Sequence, residues 1–119
     1  MTKEEMKART KRYGLRVIKA VQALPDDRVA KVLGSQLLRS GTSVGANYRA
    51  ACRAKSKADF INKLKIVEEE SDESIYWMEL LVESDLMPVT RLAALLKEGD
   101  EILSIVVASL KQSRMSAHS

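Results

Sequence analysis

Two groups of glutamates have spacings that could hold a metal ion. Glu69, Glu70 and Glu73 occupy positions i, i+1 and i+4 of one predicted helix, and Glu98 and Glu101 lie three positions apart on the next. If all five carboxylates faced one cavity, their oxygens would suit Mg²⁺ and metal-assisted hydrolysis. An acidic run on a helix is more often a solvated face or a partner for nearby basic side chains. We therefore keep the magnesium site as an alternative and predict no metal and no cofactor.

No other combination of residue types predicts a catalytic site. His118 is the sole histidine and falls in a polar tail, so catalytic triads, histidine general bases and histidine metal sites lack a component on the folded part. Cys52, the single cysteine, is expected to be a small core residue. Gly41 and Gly45 are not followed by the Gly-Lys-Ser/Thr of a phosphate loop, which favours close helix packing. We expect no catalytic residue and no enzymatic activity.

Charge is divided between the two halves of the chain. Residues 1–57 carry 14 basic and four acidic side chains, whereas residues 58–87 carry two basic and nine acidic ones. The basic half could bind RNA or DNA phosphates with little sequence preference, or it could pair with the acidic third helix within or between subunits. The candidate phosphate contacts are Lys7, Lys11, Arg12, Arg16, Lys19, Arg39, Arg49 and Arg53. The last three are spaced to share part of a helix face, where an inter-subunit carboxylate is at least as good a partner.

Four amphipathic stretches position these side chains. Hydrophobic residues make up 45% of the 119 residues and aromatic ones only 4%, with five glycines and two prolines, which favours long helices over strands. Pro25 ends the first stretch, Asp26 or Asp27 caps the second, Ser56 caps the third, and Pro88 opens the fourth. The predicted helices cover about 2–24, 27–54, 57–84 and 88–112, with a polar, disordered tail at 113–119. The fold class is all-α, an antiparallel up-down four-helix bundle.

Two segments carry more apolar side chains than one internal core needs. Residues 75–82 and 105–108 are apolar around most of the helix circumference rather than along one stripe. This pattern predicts self-association through a second hydrophobic face. Because no apolar run is long enough to span a bilayer and the charged start lacks a signal-peptide core, we expect a cytoplasmic protein without membrane contact.

Three motifs resemble those of a known family. They are LRSGTSVGANYR at 38–49, SKADFINKLKI at 56–66 and YWMELL at 76–81. On these motifs the chain resembles the four-helix-bundle proteins encoded in intervening sequences of bacterial 23S ribosomal RNA genes, from helix one into helix four. The resemblance implies a homo-oligomeric ring, commonly a pentamer, and does not imply an enzyme. A distant relative of that family, the accessory protein of diversity-generating retroelements, is a pentamer whose basic surface binds nucleic acid and a reverse transcriptase.

The resemblance gives its motif residues structural roles. Ser40, Gly41 and Gly45 would let helices approach closely, Asn47 would satisfy a buried polar network, and Asp59 would cap helix three. The residues expected in packing or at an interface are Ser40, Gly41, Gly45, Asn47, Tyr48, Phe60 and Trp77.

The glutamate spacing also loosely resembles the EExxE and ExxD motifs of MazG-type nucleotide pyrophosphohydrolases, which are helical bundles that hold Mg²⁺. Glu101 stands where that pattern has aspartate, and Gly99 interrupts the second motif. The interpretation from sequence is a non-enzymatic, self-assembling bundle that binds RNA or DNA or serves as a scaffold. The alternatives are a protein-protein assembly module without nucleic acid and a Mg²⁺-dependent nucleotide pyrophosphohydrolase.

Overall fold

Four α-helices account for most of residues 1–117, which are the residues that the computed structural model describes. They are α1 (Lys3–Gln22), α2 (Arg28–Cys52), α3 (Lys57–Glu83) and α4 (Val89–Ala117). Consecutive helices pack side by side and α1 also contacts α4, which closes an elongated bundle of 51 × 21 × 20 Å. No strand occurs within the described residues, so the predicted all-α four-helix fold is confirmed.

Side-chain caps fix the starts of three helices. The side chains of Thr2, Asp27 and Ser56 each accept a hydrogen bond, 3.0 Å long, from the backbone N–H three residues later. A cap of this kind contributes about 1 kcal/mol of helix stability. The sequence assigns the start of α3 to Ser56, which caps it as expected, and also to Asp59, whose carboxylate accepts from Lys63 Nζ at 3.0 Å. That lysine is the main cause of the lowered pKa of Asp59.

The last helix extends beyond its predicted end. α4 continues to Ala117, contrary to the expectation of a disordered tail from residue 113. Neither glycine nor proline follows Lys111, so nothing in this segment breaks the helix. Lys57 Nζ at the start of α3 also donates to Ser116 Oγ at 2.7 Å, which ties this end of α4 to the bundle. His118 lies outside the described residues.

Close contact between α1 and α2 depends on the small residues of the first motif. A Cβ added at Gly41 would lie 2.7 Å from Val17 Cγ2, and one added at Gly45 would lie 3.1 Å from the Thr10 carbonyl oxygen. These distances confirm the packing interpretation of the two glycines. Ser40 is buried and donates to the Gln36 carbonyl at 2.8 Å.

Asn47 does not form the expected buried network. Its amide donates to the Ser43 carbonyl of its own helix at 2.9 Å, and the residue is only half-buried. Its spacing four residues after Ser43 favours this local bond, which requires no partner from another helix.

Tyr48, Phe60 and Trp77, the aromatic residues expected in packing or at an interface, all pack on the core. Tyr48 is buried, whereas Phe60 and Trp77 are half-buried near opposite ends of α3. Lys3 Nζ lies 4.9 Å from the centre of the Phe60 ring. Trp77 stacks edge-on to Tyr76 at 5.2 Å.

One hydrogen bond crosses the centre of the bundle. Tyr13 of α1 and Ser74 of α3 are both buried, and their side-chain oxygens lie 2.8 Å apart across the bundle diagonal. Ser74 Oγ donates its only proton to the Ser71 carbonyl at 2.7 Å, so the Tyr13 hydroxyl is the donor to Ser74. Burial raises the pKa of Tyr13 to about 12, which keeps this hydroxyl protonated at neutral pH.

Gly99 of α4 makes room for that tyrosine. A Cβ at Gly99 would lie 2.8 Å from Tyr13 Oη and 3.1 Å from Ile75 Cγ1. The glycine that breaks the second glutamate motif is therefore explained by packing.

We expect Gly99→Ala to lower the free energy of unfolding by about 1–2 kcal/mol, because overpacking outweighs the gain in helix propensity. Tyr13→Phe removes the oxygen that the new methyl group would meet, so the cost of Gly99→Ala should shrink in that background. Urea unfolding of both single variants and the double variant measures this coupling. Gly14→Ala is the matched control and should be neutral or stabilising, because its Cβ would meet only ordinary contacts. Equal costs of Gly99→Ala in both backgrounds would contradict the packing account.

Candidate nucleic-acid interface

Arg39 does not belong to an open basic surface. Its guanidinium donates to Glu70 Oε2 at 3.1 Å and to Glu73 Oε1, both on the neighbouring α3. The carboxylate partner that the sequence allowed for Arg39 is thus within the same chain. Helical spacing places Arg39, Arg49 and Arg53 within about 80° of one another on α2, and Arg39 differs from the other two in its carboxylate partners on α3.

A second arginine makes a stronger internal ion pair. Arg9 of α1 donates from Nε and Nη2 to the two oxygens of Glu98 at 2.8 and 2.7 Å, and from Nη2 to Glu101 at 2.8 Å. The Arg9 and Glu98 side chains are only 21% and 17% exposed. The hydrogen bond from Arg9 is the main cause of the lowered pKa of Glu98. The sequence analysis did not select Arg9. The available signal was Glu98 and Glu101, which lie three positions apart on α4, a spacing at which one guanidinium can bind both carboxylates.

The five glutamates of the metal alternative do not converge. Glu70 and Glu73 bind Arg39 between α2 and α3, whereas Glu98 and Glu101 bind Arg9 between α1 and α4. Glu69 is exposed. Within residues 1–117, no group of three or more acidic, histidine or cysteine side chains could hold a metal ion. This arrangement contradicts the shared magnesium site.

Five of the predicted basic side chains keep their charge unpaired. They make no ion pair or side-chain hydrogen bond within the described residues, and all are exposed: Lys11, Arg12, Lys19, Arg49 and Arg53. We call these five residues the basic face. Lys7 lies beside them but pairs with Glu4 at 2.7 Å. Arg16 is half-buried on the α4 side of α1, where its charge helps to lower the pKa of Glu98.

Part of the basic face, Lys11, Arg49 and Arg53, borders a groove between α1 and α2, which Glu4 also lines. The groove has a volume of about 580 Å³, and Lys7, Lys11, Arg49 and Arg53 lie along its edges. Its floor is made of small and aliphatic residues: Ala8, Gly14, Leu15, Ile18, Gly45 and Ala46. Close helix contact at Gly45 brings the two rows of cations together, which concentrates positive potential along the groove.

The fold and its motifs can now be compared with known proteins. The model of the family described as 23S rRNA-intervening sequence protein matches residues 3–108. The chain belongs to this family. Comparison of this intervening sequence protein with curated proteins gives no match. A solved structure is similar: a protein with unknown function from the S23 ribosomal protein family of Bacteroides thetaiotaomicron VPI-5482.

That similarity extends over nearly all of both chains. The two sequences are 33% identical, the match covers 93% of this intervening sequence protein and 99% of the other chain, and the TM-score is 0.86. The family resemblance expected from the motifs is therefore confirmed. Among the described residues, no helix of this family member is both long and apolar enough to cross a membrane.

The ion pair between Arg9 and Glu98 predicts a pH-dependent stability. The pKa of the Glu98 carboxyl is lower in the folded chain than in the unfolded chain. The ionised carboxylate therefore stabilises the fold at pH values above its pKa in the unfolded chain, and this stabilisation is lost as the pH falls through its pKa in the folded chain. Glu98→Gln should lower the free energy of unfolding by about 1–2 kcal/mol at neutral pH. Urea unfolding at pH 7, and then at successively lower pH, should show this difference shrinking. Glu69→Gln is the control and should change little, and a difference for Glu98→Gln that stays constant with pH would argue against the ion pair.

Proposed function

We propose that this intervening sequence protein is a non-enzymatic, self-associating bundle that binds nucleic acid through phosphates on its basic face. The observation that supports this proposal is the distribution of ion pairs. The glutamates that could neutralise α1 and α2 are engaged by Arg9 and Arg39 at the helix seams. Five exposed cations, three on α1 and two at the end of α2, make no ion pair within the described residues.

Most acidic side chains of α3 lie away from the basic face. Glu69, Asp72, Glu79 and Glu83 are exposed positions of α3, and α3 does not contact α1. Glu4 is the acid among the residues that line the α1–α2 groove, and it pairs with Lys7 at 2.7 Å, so a polyanion there would meet mostly cations. Contacts with phosphates carry no sequence information by themselves, so binding should be largely independent of sequence.

Fluorescence anisotropy with labelled, mixed-sequence RNA and DNA, each offered single-stranded and as a duplex, tests the phosphate contacts. Five contacts should make affinity fall on the order of a few hundredfold between 50 and 200 mM salt for a duplex. The double variant Arg49→Gln/Arg53→Gln should bind more weakly and reduce the slope of log affinity against log salt by about two.

The matched control is Arg91→Gln, because Arg91 is an exposed arginine of α4, away from the groove. It should leave both the affinity and the slope nearly unchanged. If the wild-type oligomer binds none of these nucleic acids at low salt, the proposal of nucleic-acid binding is overturned. That result would favour the assembly module without nucleic acid.

An exposed apolar patch supports the self-association. Val32 of α2 and Tyr76 of α3 are 58% and 52% exposed. Arg39 lies opposite Glu73 on antiparallel helices, so Val32, seven residues earlier, lies opposite Leu80 and close to Tyr76 and Trp77. This patch lies partly on residues 75–82, where the sequence predicts a second hydrophobic face. We take a closed ring as the assembly, and a pentamer as the size that the family resemblance implies.

Light scattering coupled to size-exclusion chromatography tests the assembly. Val32→Glu should convert the oligomer to smaller species, because a charge would be buried at the subunit contact. Met115→Glu, at a methionine near the end of α4 that is 66% exposed, is the control and should leave the mass unchanged. A wild-type monomer at micromolar concentration, or equal effects of both variants, would contradict this interface.

A further inference from the structure

We infer that the cleft between the end of α2 and the start of α3 is a binding site for adjacent phosphate groups. This α2–α3 cleft brings two arginines of the basic face, Arg49 and Arg53, together with two lysines that lie outside it. Those lysines are Lys55 and Lys63. Because the site shares its arginines with the basic face, it rests on the function proposed above and names further residues that hold the phosphates.

The positive charge of the chain is concentrated at one end of the bundle. Because successive helices are antiparallel, the starts of α1 and α3 and the ends of α2 and α4 lie at this end, where Lys57 Nζ donates to Ser116 Oγ. Residues 1–9, 46–66 and 108–117 form it and carry 11 basic and three acidic side chains. The rest of the chain carries nine basic and 13 acidic ones. The field of the molecule therefore attracts anions to this end.

Among the described residues, four cations line one cleft within this end. The cleft has a volume of about 400 Å³. The residues that line it are Ala46, Arg49, Ala50, Arg53, Lys55, Asp59 and Lys63. Arg49 and Arg53 are four residues apart, which places their side chains on the same face of α2. Lys63 lies on α3, so cations from both helices border the same volume.

Asp59 is the acidic residue in this lining, and it is already paired. Its carboxylate accepts from Lys63 Nζ at 3.0 Å. This hydrogen bond is the main cause of its lowered pKa, and the charge of Lys55 lowers the pKa further. Both lysines therefore lie close to one carboxylate. Four basic side chains and one acidic side chain leave the lining with a net charge of +3.

This charge and these side chains suit more than one phosphate group. A guanidinium donates two parallel hydrogen bonds to phosphate oxygens, and a lysine ammonium acts as a compact point charge. A phosphodiester carries a single negative charge, so a lining of +3 is better matched by phosphates in succession. Such phosphates occur in a nucleic-acid strand and in a free oligophosphate.

The cleft continues the basic face around the end of α2. Arg49 and Arg53 line both the α1–α2 groove and the α2–α3 cleft. A strand whose phosphates contact these arginines from the groove therefore reaches Lys55 and Lys63 with its next phosphates.

Anisotropy titrations at 50 mM salt test the site with labelled 20-nucleotide DNA and RNA of mixed sequence, each single-stranded and as a duplex. Lys55→Gln/Lys63→Gln should weaken binding about tenfold and reduce the slope of log affinity against log salt by one to about two. Asp59→Asn raises the net charge of the lining and should tighten binding.

The matched control is Lys65→Gln/Lys111→Gln. It removes two exposed lysines from the same end of the bundle that do not line the cleft. The net charge of the protein changes equally in both double variants, so the control should weaken binding about twofold at most if the cleft is a site.

Inorganic tripolyphosphate distinguishes the two sources of phosphate. Displacement of the labelled nucleic acid beyond that caused by sodium chloride of equal ionic strength, and smaller in Lys55→Gln/Lys63→Gln, would support a site that also takes free oligophosphates. Displacement equal to that by sodium chloride would support a site for nucleic-acid phosphates alone.

Equal losses of affinity in the two double variants would overturn the α2–α3 cleft as a site, because the overall charge of this end would then account for binding. That result would leave nucleic-acid binding by the basic face intact. If the wild-type protein binds no probe at low salt, the proposed function is overturned together with the site.

Discussion

The close approach of α1 and α2 is the constraint on which the surface of this protein depends. Val17 occupies the space that a side chain at Gly41 would need, and the Thr10 carbonyl does the same at Gly45. Because the two helices lie so near each other, cations from both border one groove and their fields add. Bringing like charges together opposes folding, so the burial of Val17, Val44 and Leu37 between the helices must offset that repulsion.

Local chemistry in the sequence is sufficient to predict the helices. Side-chain caps at Asp27 and Ser56 and the prolines at 25 and 88 act within a few residues, so the breaks between helices can be located without knowledge of the fold. The end of α4 could not be located in the same way, because a contact between Lys57 and Ser116 holds it and those residues are far apart in the chain. The role of Gly99 was hidden for the same reason, since its neighbour Tyr13 lies on α1.

The candidate site was only partly predictable from the sequence. Helical spacing determines on which face of its own helix a residue lies, but not which neighbouring helix packs against that face. Five of the eight cations predicted to contact phosphates are exposed and make no ion pair within the described residues, and their contact with phosphate stays a prediction. Arg39 was misassigned because its partners, Glu70 and Glu73, become neighbours only when α2 and α3 pack together. Arg9 was missed for the corresponding reason at the α1–α4 seam. Four of the five glutamates that suggested a metal site are the residues that bind these two arginines.

These ion pairs also separate the two proposed activities in space. Arg39 and its glutamates lie along the outer α2–α3 seam, next to the apolar patch around Val32 and Tyr76, and they reduce the net charge there. A subunit contact over this patch would therefore bury little unpaired charge, which favours association. The basic groove lies between α2 and α1. Self-association through the patch would leave the groove open in every copy, so a ring would present several grooves to one polyanion and gain affinity from their number.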